Sequence, residues 1–242
     1  MTFLRSLLFN VGFYVGSATI AILGLPLLLA PRRWVLAWAR LWGDFTVGWA
    51  TLACGITWRV RGRERLPAGP MLIAAKHQST WETLAFVGIF PGAAIVLKRE
   101  LLYIPIVGQA MARAGSIAVA RSAGASALRG MVRDAKAAVA DGRPILIFPE
   151  GTRTPVGGTL PYHAGIVALY RQLGVPVVPV ALNSGLFWPR RKFLKRAGRI
   201  DVEILDPIPP GLDRDTFMAT LRERIETATA RLVAEAPSKY NH

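Results

Sequence analysis

Cysteine, histidine and acidic residues are scarce in this sequence of 242 residues, and each shortage excludes a class of protein. The single cysteine, Cys54, rules out an intrachain disulfide framework and favours a reducing compartment. Three histidines, without an HExxH or a paired-cysteine motif, argue against a catalytic metal. Because 30 Lys+Arg face only 15 Asp+Glu, the formal charge of +15 predicts an anionic partner, which could be nucleic acid, a bilayer or a phosphorylated small molecule.

Much of the apolar excess lies near the N-terminus. Residues 7–29 are almost free of charge, and as one helix they would reach roughly 34 Å, about the thickness of a bilayer core. This run is too long for a cleaved signal peptide. Between residues 34 and 52, helical spacing places tryptophans on one stripe. Such a stripe suits either the lipid headgroup boundary or packing against the first helix or the globular core. We therefore predict a two-helix membrane segment at residues 1–55.

The remainder, residues 56–242, alternates short apolar runs with amphipathic ones. This alternation predicts an α/β domain with a mixed, largely parallel sheet and flanking helices. The predicted strands are 56–61, 71–75, 94–97, 117–120, 144–148, 175–181 and 200–205. The predicted helices are 80–90, 126–140, 164–173 and 216–234.

The first candidate for chemistry is the pair His77 and Glu82, where a predicted strand gives way to a helix. The two side chains can meet only if His77 precedes the helix and Glu82 lies in its first turn. The carboxylate would then fix the imidazole tautomer, and the other ring nitrogen could take a proton from a hydroxyl group. Alternatively, Ser79 and Glu82 form a capping box, and the two roles can coexist. No GxSxG elbow is present, so a substrate hydroxyl would attack directly.

Further candidates follow other predicted strands. In the stretch FPEGTR at 148–153, Gly151 lets the backbone approach a ligand and Arg153 can hold a phosphate, although such a stretch can also be an ordinary turn. Lys98 and Arg121 at strand ends are either ligand-binding cations or a solvated rim. Prolines 176 and 179 predict that the run 175–181 is an edge strand or contains a bulge.

Taken in order, these segments resemble the four sequence blocks of the glycerolipid acyltransferases, and more narrowly those of the bacterial 1-acyl-sn-glycerol-3-phosphate acyltransferases. The blocks are H-x4-acid at 77–82, GSIAVAR at 115–121, FPEGTR at 148–153 and VPVVP at 175–179. Two positions depart from the common pattern, with Glu82 in place of Asp and Ala120 in place of a polar residue.

The resemblance implies an α/β acyltransferase domain behind a two-helix membrane motif. It implies that His77, oriented by Glu82, deprotonates the 2-hydroxyl of lysophosphatidate for attack on the thioester of acyl-CoA or acyl-carrier protein. It implies no other cofactor and no nucleic-acid partner, and it places the enzyme at the cell inner membrane with its site facing the cytoplasm. The implied phosphate-binding residues are Lys98, Arg121, Glu150, Gly151, Thr152 and Arg153, and those of the acyl-donor site are Pro176 and Pro179.

Other interpretations stay open at this point. The acceptor could be another lysolipid, such as a lyso-ornithine lipid, or the chain could be a non-catalytic basic lipid-binding protein. A DNA-binding protein is disfavoured because no nucleic-acid motif is recognised. A basic cluster within residues 190–199 would either press on anionic headgroups or form a solvated loop.

Overall fold

Two long helices open the chain and are followed by an α/β domain. The computed structural model describes residues 1–120 and 124–237. Helix α1 spans Thr2–Leu23 and α2 spans Arg32–Cys54, with a 3-10 helix at Leu25–Leu29 between them. The apolar run at 7–29 is therefore divided between α1 and this 3-10 helix. The ring of Pro26 cannot be accommodated within an α-helix, and α1 ends just before it. Among the described residues, only α1 is long and apolar enough to cross a membrane.

The tryptophans of α2 face α1. The indole N–H groups of Trp38, Trp42 and Trp49 donate hydrogen bonds to acceptors of α1, at 3.0, 2.9 and 3.1 Å. Of the two interpretations of the tryptophan stripe, helix packing is confirmed for these three side chains. Trp34 differs, because its ring is about half exposed.

Glycines on α1 and at its C-cap make this close packing possible. A Cβ atom added at Gly12 would lie 2.3 Å from the indole of Trp49, and one added at Gly24 would lie 2.1 Å from that of Trp38. Gly16 meets the ring of Phe45 in the same way, at 2.2 Å. These residues are therefore contact points between two helices.

A seven-stranded sheet forms the centre of the domain and confirms the predicted fold class. Its strands are β1 (Ile56–Arg61), β2 (Leu72–Ala75), β3 (Ala94–Lys98), β4 (Ile117–Val119), β5 (Ile145–Ile147), β6 (Val177–Leu182) and β7 (Gly198–Ile204). Their order is β1-β7-β6-β2-β5-β3-β4, and every neighbouring pair is parallel except β6 and β7. The remaining helices are α3 (Trp81–Ile89), α4 (Val107–Arg113), α5 (Gly124–Ala140), α6 (Ala164–Leu173) and α7 (Arg214–Ala234), of which α4 was not predicted.

Helices cover both faces of the sheet. In β2, Ile73 and Ala75 belong to one core together with Phe9 of α1 and Phe86 of α3. Leu72 and Ala74 belong to a second core, which α5, α6 and α7 complete. Burial on both faces explains why β2 is uniformly apolar. The division of the chain at residue 55 stays a prediction.

The proline-containing strand β6 lies inside the sheet, between β7 and β2, so the expectation of an edge strand is wrong. The alternative expectation, a bulge within residues 175–181, is also wrong, because residues 177–180 pair one for one with residues 72–75 of β2. The extra residue lies on the opposite segment, after β7, since Val177 is bridged to Ile208 while Val180 pairs with Ile204. Pro179 faces this irregular segment, where its carbonyl accepts from Leu205 and its missing N–H leaves no regular pairing broken.

Candidate active site

Three adjacent parallel strands, β2, β5 and β3, end at the same edge of the sheet. His77 follows β2, the segment 151–153 follows β5, and Lys98 ends β3. All of them line one cavity of about 1150 Å³. Ligands of α/β folds commonly bind at the carboxyl ends of parallel strands, so the topology brings these predicted site residues together.

His77 and Glu82 are in contact, as predicted. The Nδ1 atom of His77 lies 2.9 Å from Oε1 of Glu82, which is fully buried in the first turn of α3. The same oxygen accepts the backbone N–H groups of Gln78 at 2.7 Å and Ser79 at 2.6 Å. The histidine contact and the helix-capping contact therefore coexist, and Glu in place of Asp reaches the imidazole without difficulty.

The second oxygen of Glu82 has a partner that sequence reasoning missed. Ser184, buried just after β6, donates its hydroxyl to Oε2 of Glu82 at 2.7 Å. The next residue, Gly185, donates its N–H to Oε1 of Gln78 at 3.2 Å. These contacts cross a separation of about 100 residues, which no local pattern signals.

The contacts of His77 favour one of its two neutral tautomers. A carboxylate beside Nδ1 favours the tautomer whose Nδ1–H donates to Glu82, and Nε2 then keeps a lone pair. The ring stacks on Phe148 with centroids 4.1 Å apart, and its side chain is 14% exposed. The imidazole is thus held by a carboxylate and an aromatic face at the wall of the cavity.

Glu150 holds the backbone of His77. Its Oε2 accepts the N–H of His77 at 2.9 Å, while its Oε1 accepts from Lys76 Nζ and Thr154 Oγ1, both at 2.6 Å. The N–H of Thr154 in turn donates to the carbonyl of His77 at 2.7 Å. Both carboxylate oxygens already accept hydrogen bonds, and the residue is 1% exposed. The expectation that Glu150 helps to hold the acceptor phosphate is therefore wrong.

Lys76 links this arrangement to the last helix. Its ammonium group is buried and also contacts both carboxylate oxygens of Glu226 on α7, at 2.9 and 2.8 Å. Tyr162 donates its hydroxyl to Glu226 at 2.9 Å. Burial first, and then the charge of Glu226, raise the pKa of Tyr162 far above its ordinary value, so this phenol stays a donor.

Lysine and arginine side chains line the cavity near the strand ends, which is its polar end. Lys98 and Arg153 were predicted as site residues, and Arg190 and Arg191 line the same cavity. Residues 191–194 are also exposed, so a contact of this segment with lipid headgroups stays a prediction. Arg190 donates to the carbonyl of Arg153 at 3.0 Å. Burial lowers the pKa of the Arg153 guanidinium, the charge of Glu82 opposes this shift, and the charges of Arg190 and Arg191 lower the pKa further.

The predicted basic cluster within residues 190–199 is therefore not one surface. Lys195 is buried, with its ammonium group 5.7 Å from the ring centroids of both Phe9 and Trp188. Arg199 instead donates to Asp201 at 3.2 Å. The cluster divides among the cavity, the interface with α1 and the sheet edge.

The predictions for the two prolines and for Arg121 remain. Pro176 and Pro179 are not among the described residues that line the cavity, so the structure does not bring them to His77. Pro179 instead shapes the strand that leads to Ser184. The prediction for Arg121 lies outside the described residues, so it stays a prediction.

Much of the cavity lining is apolar and comes from helices. Side chains of α1 and α2, among them Ile20 and Trp42, line it together with Leu84 and Val87 of α3 and Met111 of α4. An elongated hydrocarbon fits such a lining, with its polar end near His77 and the cations.

Together, the mixed sheet, the paired histidine and carboxylate, and the apolar cavity define an acyltransferase. The chain belongs to the Acyltransferase family, whose family model matches residues 57–183. It is 38% identical to the 1-acyl-sn-glycerol-3-phosphate acyltransferase of Pseudomonas aeruginosa over 194 residues, which are 80% of this chain and 76% of that relative. These findings confirm the family resemblance.

Two more distant relatives agree. The 1-acyl-sn-glycerol-3-phosphate acyltransferase alpha of Bos taurus is 33% identical over 175 residues, which are 71% of this chain and 61% of that protein. The crystal structure of the 1-acyl-sn-glycerophosphate (LPA) acyltransferase PlsC from Thermotoga maritima matches with a TM-score of 0.80 at 24% identity. That match covers 97% of this chain and 99% of the other, so the fold is shared over nearly its whole length.

Proposed function

We propose that this enzyme transfers an acyl group from an acyl thioester to the 2-hydroxyl of 1-acyl-sn-glycerol-3-phosphate, forming phosphatidate. The acceptor oxygen attacks the thioester carbon while Nε2 of His77 takes the hydroxyl proton. The tetrahedral intermediate then breaks its carbon–sulfur bond, and the imidazolium returns the proton to the departing thiolate. Each turnover thus yields one ester and one thiol, and the histidine is regenerated.

One observation carries the proposal, the 2.9 Å contact between His77 and the fully buried Glu82 at the wall of the cavity. A carboxylate held by two backbone N–H groups and the hydroxyl of Ser184 is fixed in place before substrate arrives. Its negative charge stabilises the imidazolium that forms during attack. No protein nucleophile is needed, because the acceptor supplies the hydroxyl group.

The rest of the cavity and the names of the relatives support this choice of substrates. Two relatives named 1-acyl-sn-glycerol-3-phosphate acyltransferase share 38% and 33% identity with this chain. Arg153 and Lys98 suit the acceptor phosphate, and the apolar wall suits an acyl chain. The donor would be acyl-CoA or acyl-carrier protein, and both are acyl thioesters.

Membrane association belongs to the same proposal. Helix α1 exposes large apolar side chains along its length, among them Phe3, Leu8, Val15 and Leu23. Buried in lipid, this face would place the cavity at the membrane surface, where a lysolipid acceptor resides. We place the enzyme at the cytoplasmic face of the cell inner membrane.

The test is acyl transfer from acyl-CoA to lysophosphatidate by wild type, His77→Ala and Glu82→Gln. We expect activity in wild type, none in His77→Ala, and a loss of at least about a hundredfold in kcat for Glu82→Gln, because an amide cannot stabilise an imidazolium. Glutamine can still accept the N–H groups at the helix start, so circular dichroism should show a folded protein. Near-normal turnover by Glu82→Gln would show that Glu82 only caps the helix. If wild type transfers acyl groups to other lysolipids but not to lysophosphatidate, the proposed acceptor is wrong.

A further inference from the structure

Arg190 and Arg191 belong to none of the four sequence blocks of the family resemblance, and they form a cationic cluster with Arg153 of the block at 148–153. All three side chains line the cavity that also contains His77. No aspartate or glutamate of the described residues lines this cavity. The guanidinium group of Arg190 donates to the carbonyl of Arg153 at 3.0 Å, and Arg191 is the next residue of the chain. Burial lowers the pKa of Arg153, the charge of Glu82 opposes this shift, and the charges of Arg190 and Arg191 lower the pKa further.

The turn that carries the two arginines is anchored. It follows the buried residues Phe187 and Trp188, and the N–H of Arg196 returns to the carbonyl of Phe187 at 2.9 Å. Arg191 has a φ of 54°, a left-handed conformation that is uncommon for a residue other than glycine. Arg190 is fixed to the backbone of Arg153 by its 3.0 Å hydrogen bond. The turn that carries Arg190 and Arg191 is therefore held in place by the buried residues before it and by these hydrogen bonds.

Arg153 and Arg190 are partly buried and Arg191 is exposed. Like charges on one cavity wall repel one another, and an anion bound between them relieves that repulsion. A phosphate monoester carries close to two negative charges at neutral pH and several acceptor oxygens, which match the planar N–H forks of arginine. A carboxylate would supply less charge and fewer acceptors. The cluster is therefore suited to phosphate.

We propose that Arg190 and Arg191, together with Arg153, form a phosphate-binding site at the polar end of the cavity. The inference rests on the proposed function for its location beside the reacting groups. The phosphate could belong to the acceptor lysophosphatidate or to the CoA part of the donor, and the experiment separates these two sources.

The kinetic test compares Arg191→Ala and Arg190→Gln with the matched control Lys192→Ala, which removes one charge from the same turn but does not line the cavity. For an acceptor site, the KM for lysophosphatidate should rise on the order of tenfold in each arginine variant, since a lost charge-assisted hydrogen bond has roughly that effect. The KM for acyl-CoA should then stay within twofold of wild type. A donor site gives the reverse pattern, and transfer from acyl-N-acetylcysteamine, a thioester without phosphate, should then be unaffected.

A binding measurement keeps the site separate from the reaction. Calorimetric titration of the His77→Ala background with lysophosphatidate micelles, and then with CoA, should show one ligand binding on the order of tenfold more weakly after Arg191→Ala. 1-Acylglycerol, which lacks the phosphate, should show no such difference. Absence of acyl transfer by wild type would reject the proposed function, whereas the titrations would still decide the phosphate site. If Arg191→Ala binds lysophosphatidate and CoA as tightly as Lys192→Ala does, and the KM values are unchanged, the proposal is overturned.

Discussion

The hydroxyl of Ser184 donates to Oε2 of Glu82 at 2.7 Å, on the side of the carboxylate that faces away from His77. Ser184 and Glu82 are both fully buried. Glu82 therefore receives donors at each oxygen, and its orientation toward His77 depends on a residue at the end of β6. Ser184 is a positioning residue, since its contact is with Glu82.

We expect Ser184→Ala to lower kcat about tenfold with little change in KM, because hydrogen bonds to buried charged groups contribute about 1.5–3 kcal/mol. Ser184→Thr keeps a hydroxyl and should recover part of the activity. The decisive measurement is the double mutant. If Ser184 acts through Glu82, Ser184→Ala should cost much less kcat in the Glu82→Gln background. An equal cost in both backgrounds would assign Ser184 a role independent of Glu82.

Removing Lys76 should destabilise the protein strongly. Lys76→Met leaves Glu150 and Glu226 close together without the ammonium group between them, and breaking a buried ion pair from one side typically costs about 3–5 kcal/mol. The measurement is the free energy of unfolding in urea, monitored by circular dichroism. Lys76→Met with Glu226→Gln removes one of the opposing charges and should recover part of the loss. Wild-type stability in the single variant would refute this account of the buried network.

The glycine contacts between α1 and α2 can be tested with a matched pair of substitutions. Gly12→Ala places a methyl group 2.3 Å from the indole of Trp49, so the helices must separate, at a cost of about 1–3 kcal/mol. Gly48→Ala on α2 is the control, since an added Cβ meets nothing within 4 Å there. It should stabilise the helix by about 0.5–1 kcal/mol. Thermal unfolding in the same detergent compares them, and equal midpoints would contradict the packing argument.

The stability of the sheet edge should depend on pH through Asp201. Burial raises the pKa of this carboxyl, but hydrogen bonds from Arg59 and Arg199 lower it by more, so its net pKa lies below the ordinary value. A depressed folded-state pKa stabilises the protein above the unfolded pKa of about 3.9 and loses that effect as pH falls through the folded value. Asp201→Asn should therefore be less stable than wild type at pH 7, and the difference in unfolding free energy should shrink below about pH 4. A difference that grows on acidification would reverse this assignment.

The sequence predicted those parts of the fold that depend on local periodicity. The strand at 56–61 and the helix at 164–173 have the predicted bounds, because apolar alternation and helical spacing are read directly from neighbouring residues. The contact between His77 and Glu82 was also within reach, since both residues lie within one strand-to-helix turn. Helix α4 was missed because its seven residues are too few to establish a period.

The remaining features depend on contacts between distant segments. Ser184 and Glu226 reach the site from elements that no local pattern connects to it. The family resemblance implied a phosphate role for Glu150, whereas its carboxylate contacts Lys76, Thr154 and the backbone of His77. Arg190 and Arg191 looked like part of a surface cluster, because residue types alone do not reveal which cations a turn directs into a cavity.

The indole groups of α2 also determine what an optical experiment on this enzyme would measure. Trp38, Trp42 and Trp49 donate their N–H groups to α1, so their emission should report the spacing between the two helices. Depth in the lipid would have to be read from Trp34, whose ring is about half exposed. A quencher carried on lipid chains should therefore dim Trp34 well before the other three.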